Sequence, residues 1–399
     1  MKYTPIEIND SIVNSYQRYF DNAFWLKNEN LINERRALIA ETQSFSNSII
    51  MEPIFSYKNS KSFKEICEKL NLSNEIAQKL AKHIFNRDEN MTLRAHQAES
   101  FEIAFQKNND SRQNPIITSG TGSGKTECFL IPIFARLLQE SSKWEPPAKL
   151  NEWWSPSNNE KKWIHSRANG KRKAAVRSMI LYPMNALVED QLTRLRSIFY
   201  SHNDLDTPEF FFGRYTSATP GSLKKPELLS KTKSEKDDIT SLIKDINKVE
   251  NDKNLEEKEI QDSIIQLQDP RRGEMYTRWD MMDSPPDIFI SNFAMLNVML
   301  MREEEQNIFN STKEWLSESK DNIFTLVIDE IHLYRGTAGT EISLTIRNLL
   351  NRLGFEDYSE QFSFIATSAS IDGETGKQYL EEFFSVSRDT FKIIPGEII

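Results

Sequence analysis

Pro115-Ile116-Ile117-Thr118-Ser119-Gly120-Thr121-Gly122-Ser123-Gly124-Lys125-Thr126-Glu127 runs from an apolar segment through a glycine-rich turn into a helix. Pro115 to Ile117 reads as a buried strand, and Phe129, Leu130, Ile133, Phe134, Leu137 and Leu138 recur at helical spacing. Glycines at 120, 122 and 124 allow the backbone to turn its N–H groups inward, and the helix N-terminus adds a partial positive charge. Ser119, Gly120, Thr121, Gly122, Ser123, Gly124, Lys125 and Thr126 therefore form an expected cradle for a nucleoside triphosphate. Lys125 is placed to reach the β and γ phosphates, and the Thr126 hydroxyl to hold Mg²⁺. A glycine-rich turn beside a solvated lysine is the plainer alternative, and the strand-loop-helix setting disfavours it.

A second apolar strand, Phe324-Thr325-Leu326-Val327-Ile328, ends in Asp329-Glu330-Ile331-His332. Acidic residues at the carboxyl end of a strand beside a phosphate loop sit where a metal must be held, so Asp329 is the expected Mg²⁺ holder. Glu330 is placed to orient and deprotonate the water that attacks the γ-phosphate. His332 is expected near that phosphate, linking nucleotide state to the rest of the domain.

The remaining strand expectations are 178 to 182, 209 to 213, 286 to 291 and 362 to 367, with amphipathic helices at 185 to 199, 292 to 301 and 337 to 353. This alternation predicts an α/β domain with a mostly parallel sheet covered on both faces and its ligand at the strands' carboxyl ends. Residues 1–90 read as a small helical domain and 91–399 as the α/β domain. Ile12, Val13, Tyr16, Phe20, Ala23 and Phe24 make one helical stripe, and Phe63, Ile66, Cys67 and Leu70 a second. Ser73 then caps a short helix carrying Ile76, Leu80 and Ile84. That pair has the outline of a DNA-reading helix-turn-helix, but no basic face follows the turn, which favours a packing module.

Two insertions interrupt the α/β pattern, at about 140–175 and 217–284. The first holds Trp144, Trp153, Trp154 and Trp163 and leads through Lys161, Lys162, Arg167, Lys171, Arg172, Lys173 and Arg177 with no acid between them. This stretch is expected to extend a nucleic-acid track, with Trp163 as a stacking surface; a solvated loop whose tryptophans pack on the core is the alternative. The second insertion reads as a helical hairpin projecting from the sheet, and six lysines against eleven acids between Lys233 and Asp269 make it a poor grip for phosphates. Net charge is −9, so any nucleic-acid contact must be local. Two cysteines, no secretory signal and no apolar run of membrane length point to the cytoplasm.

Taken together, S-G-T-G-S-G-K-T and D-E-I-H resemble motifs I and II of DEAD/DEAH-type helicases of superfamily 2, whose fold is a RecA-like P-loop domain. Serine at 119, where the general P-loop pattern has glycine, agrees with nucleic-acid motors. Thr92-Leu93-Arg94-Ala95-His96-Gln97 resembles the Q motif, which implies that Gln97 reads the adenine edge and sets a preference for ATP. Leu181 to Gln191 resembles motif Ia, and the segments at Gly213 to Thr216 and Pro285 to Asn292 stand where motifs Ib and Ic lie. The resemblance thereby implies nucleic-acid contacts at Pro183, Asn185, Arg214, Thr216, Ser291 and Asn292. Thr367 and Ser368, in T-S-A-S, stand at motif III and imply coupling of hydrolysis to strand movement, although the S-A-T triplet itself is changed.

Wording such as L-Y-P-M-N-A-L-V-E-D-Q and D-E-I-H-L-Y-R-G is similar to the large helicases of bacterial anti-phage islands, of the Druantia and DISARM kind. That likeness implies DNA as the partner, other defence subunits as associates, and no membrane. Motors of this superfamily need a second RecA-like domain with an arginine finger, and no second set of strands follows motif III, so the chain reads as the N-terminal half of a motor with slow hydrolysis by itself. An ATP-gated nucleic-acid clamp or regulatory subunit is the alternative. A small-molecule kinase is a distant third, having no need of motif Ia or of a glutamine ahead of the loop.

Overall fold

The computed structural model describes residues 4–41, 56–108, 111–120, 122–252, 255–355 and 359–399. Contacts divide the chain into two units, Met1–Ser56 and Tyr57–Ile399. Helices Pro5–Ala23 and Glu29–Glu41 make up the described part of the first. Thr4 and Glu7 close a capping box at its start, the Thr4 hydroxyl accepting from Glu7 N at 3.3 Å and the Glu7 carboxylate from Thr4 N at 2.7 Å. Asp21 joins the two helices by accepting from Arg35 at 2.6 Å and Arg36 at 2.8 Å. Two helices are too few to enclose an apolar stripe. Ile12, Tyr16 and Phe24 accordingly stay exposed among the described residues.

The second unit is built on eight strands, numbered here in chain order: β1 (Asn114–Ile117), β2 (Ser178–Tyr182), β3 (Phe212–Arg214), β4 (Glu274–Met275), β5 (Ile288–Asn292), β6 (Phe324–Ile328), β7 (Phe362–Thr367) and β8 (Phe391–Ile394). Across the sheet they run β8-β1-β7-β6-β2-β5-β3-β4, and every pair is parallel. Their side chains alternate between two cores: Met179 and Leu181 face one, Ile180 and Tyr182 the other. Both faces of the interior strands are covered, so they are mostly apolar along their length and appear in the sequence as near-continuous runs.

Helices Phe63–Lys69, Asn74–Phe85, Ala95–Phe105, Lys125–Ser141 and Asn185–His202 bury their apolar sides on one face. Ser73 caps the second of these, its hydroxyl accepting from Ile76 N at 3.3 Å, and Ile76, Ala77, Leu80 and Ala81 are buried. Its apolar side is spent on the helices at 125–141 and 185–202, so the expected short helix pair is a packing module. No helix among the described residues is long and apolar enough to cross a membrane.

On the opposite face the first insertion departs from the expected nucleic-acid track. Trp163 is 5% exposed, and Trp153 and Trp154 are buried beside it, so none of the three offers a stacking surface. Trp153 Nε1 donates to Asp280 at 3.0 Å and Ser166 N to the same carboxylate at 2.7 Å. Arg172 pairs with the fully buried Asp287 at 2.5 Å, and Arg177 pairs with Asp287 at 2.9 Å and Glu140 at 2.8 Å. Lys171 meets Glu145, and Lys173 meets Glu314 and Glu318. These charges therefore fasten the insertion to the amino edge of the sheet. The second insertion does form two helices, Lys233–Glu250 and Glu257–Ile264. They do not simply project, for Ile239, Ile246 and Ile264 are buried and the chain then returns to the sheet as β4.

One irregularity lies in the phosphate-loop helix. Pro132 sits inside Lys125–Ser141, and a proline has no N–H to give the carbonyl four residues back. That carbonyl belongs to Cys128, and the Ser100 hydroxyl of the neighbouring helix donates to it at 2.8 Å in a buried setting. Ser100→Ala should cost about 1–3 kcal/mol by leaving the carbonyl unpaired. Ser100→Ala with Pro132→Ala should lose much less, because residue 132 regains its own N–H. Denaturant titration of the two variants checks this; equal losses would show that the hydroxyl is not the carbonyl's substitute donor.

Candidate nucleotide-binding site

Because β7 lies between β1 and β6, the phosphate loop after β1 and the acidic segment after β6 meet at one carboxyl edge. Ile117 is level with Thr367, and Ile328 with Ala366. Across this edge Lys125 Nζ stands 3.3 Å from Glu330 Oε1, joining residues 205 positions apart in the chain. The gap between strands is closed by Thr367, whose hydroxyl donates to the Asp329 carboxylate and accepts from Glu330 N at 3.0 Å. Glu330 itself has φ 51°, a left-handed conformation unusual for a residue with a side chain. The hydrogen bond to its N–H holds it there and aims the carboxylate toward Lys125.

His332 links two parts of the site: its Nδ1 lies 3.3 Å from Ala369 N and 3.2 Å from Glu330 Oε2. Glu330 Oε2 is buried and has no hydrogen-bond donor among the described residues. An unpaired carboxylate oxygen in this position is suited to receiving a water proton. Arg335 donates to the Ser370 hydroxyl at 3.1 Å, and Ser368 N to Ile117 O at 2.9 Å, so the T-S-A-S segment touches both halves of the site.

The loop is held from beneath by the segment ahead of it. Gln97 is buried, accepting from Arg94 N at 3.2 Å and donating to Gly124 O at 3.3 Å. Gly124 has φ 82°, and a Cβ there would lie 2.4 Å from Gln97 Nε2, so no side chain fits. His96 donates from Nε2 to Ser123 O at 2.8 Å, which leaves its Nδ1 buried and unpaired. Ser119 accounts for its place in the loop: its hydroxyl lies 2.6 Å from that of Ser123, bracing the turn where glycine could not. Arg94, His96 and Gln191 escaped the sequence reading as site residues. Arg94 reaches Gly122 O at 3.2 Å, and Gln191 Nε2 reaches the Thr126 hydroxyl at 3.4 Å. Their position inside the T-L-R-A-H-Q and motif Ia segments was the available signal. A cavity of about 440 Å³ opens beside the loop, lined in part by Phe85, Met91, Arg94, Gln97, Lys125 and Thr126.

Lys125, Asp329 and Glu330 thus meet at this edge, with Thr126 following Lys125 in the helix and Gly120, Gly122, Ser123 and Gly124 completing the loop; Thr121 lies outside the described residues. One carboxylate and one hydroxyl form the sparse protein set that Mg²⁺ takes when phosphate and water oxygens complete its octahedron. The Lys125 ammonium, the cavity beside it and the open space at Gly122 fit a bound triphosphate.

The expected nucleic-acid contacts divide. Pro183 is half-buried on the turn after β2, and Arg214 is ion-paired to the exposed Glu189. Thr216 and Ser291 are buried; Ser291 donates to Tyr215 O at 2.6 Å, and the Thr216 hydroxyl accepts from Ala218 N at 3.3 Å. Direct contact is corrected for these two: their hydroxyls are spent on shaping the loops. Asn292 caps the helix Phe293–Met301 through Met295 N at 2.8 Å. The side chain of Asn185 lies outside the described residues.

Residues 94–259 match the DEAD/DEAH box helicase family. The chain is 29% identical over 434 aligned positions to Druantia protein DruE of Escherichia coli (strain UMEA 4076-1), covering 97% of this chain and 22% of that protein. Among solved structures, the DUF1998 helicase MrfA bound to DNA is similar at a TM-score of 0.48 and 17% identity, over 91% of this chain and 34% of that one. Helicase Lhr of Mycobacterium smegmatis, bound to ssDNA and AMP-PNP, is similar at 0.39 and 14% identity, over 75% of this chain and 25% of that one. The chain therefore spans about a fifth of the curated relative and about a third and a quarter of these two structures.

Burial raises the Asp329 carboxyl above its ordinary value of 3.8, and the Thr367 hydrogen bond opposes the rise. A carboxyl whose folded pKa exceeds its unfolded one weakens the fold as pH climbs past the unfolded value. Thr367→Val removes the opposing hydrogen bond, so it should destabilise by about 1–3 kcal/mol at pH 7, with a deficit that shrinks as pH falls toward about 4. Denaturation of both proteins at the two pH values measures this. A deficit independent of pH would mean that the hydroxyl does not act on Asp329 ionisation.

Proposed function

We propose that this chain, which carries a helicase domain of the DEAD/DEAH type, is the ATP-binding half of a nucleic-acid-dependent ATPase, a helicase or translocase acting on DNA in bacterial anti-phage defence. The observation that carries this reading is the meeting of Lys125 and Glu330 at 3.3 Å across one sheet edge, with Thr367 holding Asp329 and Glu330 together. The defence setting and DNA as the substrate are supported by the motif wording and by the 29% identity to a Druantia protein. A bacterial cytoplasm is the compartment where such a substrate is met.

In the proposed cycle the loop amides and Lys125 bind the β and γ phosphates, and Lys125 exchanges its partner Glu330 for the nucleotide. Mg²⁺, when bound, neutralises charge on the β and γ oxygens. Thr126 and Asp329 would hold it. Glu330, released from Lys125, orients water and takes its proton at Oε1 or Oε2. His332 contacts Glu330 and Ala369 at once, and so carries the state of the γ-phosphate position to Thr367 and Ser368. Gln97 retains one amide hydrogen and acceptor capacity beyond its two hydrogen bonds, enough to recognise the adenine edge. Pro183, Asn185, Arg214 and Asn292 are the proposed contacts of a strand along the carboxyl edge. A second RecA-like domain would supply the arginine that completes the site and raise turnover by orders of magnitude.

ATP turnover of the full-length product with single-stranded DNA, duplex DNA and RNA tests this function, with DNA expected to stimulate most. Turnover unaffected by every nucleic acid would overturn it, and tight ATP binding without turnover would replace it with the clamp. Lys125→Ala should weaken Mg·ATP binding at least about tenfold. Glu330→Gln should bind ATP while turnover collapses, because size is kept and the base is lost. Wild-type turnover in Glu330→Gln would place the base elsewhere.

A further inference from the structure

A second cavity, of about 670 Å³, opens at the amino edge of the sheet, away from the phosphate loop. The first insertion and the segments entering β2 and β3 form its walls. Most of the cations on them are balanced: Arg172 and Arg177 by Asp287 and Glu140, Lys171 by Glu145, and Lys173 by Glu314 and Glu318. Three are not. Lys143, Lys149 and Arg167 line the same cavity with no carboxylate in ion-pair range among the described residues.

Arg167 is the decisive one, since it is only 8% exposed. One face of its guanidinium lies over the Phe211 ring at 4.4 Å, and a single Nη1–H donates to Pro285 O at 2.6 Å. Its other N–H groups have no protein acceptor among the described residues. Burial, and then the positive charge of Arg172, push its pKa down to about 9. Asp287 offsets part of this from beyond ion-pair range, but it is already shared by Arg172 and Arg177, so a buried guanidinium between an aromatic ring and a carbonyl stays costly unless a further anion completes it.

We infer that this cavity is a binding site for a small phosphorylated anion of nucleotide size, with Arg167 as its buried anchor and Lys143 and Lys149 at its mouth. Arginine's planar fork suits a phosphate group, and two mobile lysines suit a further charge near the opening. A volume of about 670 Å³ is that of a small-molecule site of nucleotide size. Because Asp287 ties Arg172 to the starts of β2, β3 and β5, a ligand here would also bear on how the insertion is seated.

The test uses the Lys125→Ala protein, in which the phosphate loop is weakened, titrated calorimetrically with pyrophosphate and with ADP, and assigns to this cavity only binding that Arg167→Gln reduces. One saturable site is expected for at least one of the two. Arg167→Gln should weaken it roughly tenfold or more, the loss of a charge-assisted pair. Lys143→Ala with Lys149→Ala, at positions that do not support the core, should weaken it by about threefold or more and flatten its salt dependence. Thermal melts of both variants without ligand establish that they fold. Absence of saturable binding for both probes at millimolar concentration would overturn the inference. So would binding that survives unchanged in the lysine double variant and in a folded Arg167→Gln, or a site that takes only oligonucleotides.

Discussion

One hydroxyl, that of Thr367, holds the nucleotide edge together. It donates to the Asp329 carboxylate and accepts from the Glu330 amide, so it sets the position of two acids belonging to the strand next to its own. A parallel sheet aligns strand ends, but it does not by itself fix the residues that follow them. Glu330 would relax from its left-handed backbone if that amide lost its acceptor, and its carboxylate would swing away from Lys125. The order β1-β7-β6 makes this arrangement possible, since it puts Thr367 between the phosphate loop and the acids.

The two edges of the sheet are built on opposite electrostatic plans. At the amino edge Asp287 is saturated: it accepts from Arg172, Arg177 and Phe211 N, and its pKa is held well below the carboxylate range by those arginines despite burial. At the carboxyl edge groups are left unfinished, with Glu330 Oε2 and His96 Nδ1 buried and unpaired. Saturated networks give rigidity, whereas unfinished ones await a ligand. Arg167 is the buried exception at the amino edge, a cation left over, with the exposed Lys143 and Lys149, after the carboxylates there have been shared out.

Much of this was legible in the sequence, and the physical reasons differ by element. The interior strands β1, β2, β5, β6 and β7 are buried on both faces and read as apolar runs within a few residues of their true limits. Strand β4 has two residues and β8 four, Phe391-Lys392-Ile393-Ile394, at the two edges of the sheet; such short segments carry no period of their own. The P-loop and the D-E-I-H acids were legible because both chemistry and local context are written in consecutive residues. The fate of Arg172 was not, because its partner Asp287 lies 115 positions away and nothing local distinguishes a paired arginine from a solvated one. The same holds for Ser291 and Thr216, whose burial depends on neighbours that only the fold supplies.

The proline within the phosphate-loop helix has a consequence for how the domain opens and closes. With Cys128 O bonded to Ser100 of the adjacent helix, Lys125–Ser141 cannot satisfy its own backbone in isolation. Its amides should exchange with solvent together with those of Ala95–Phe105, as one cooperative block rather than as two independently fraying helices. That block contains both Gln97 and Lys125, so the ends expected to grip the base and the phosphates belong to a single opening unit. Local breathing would then release the whole nucleotide at once, not one end at a time.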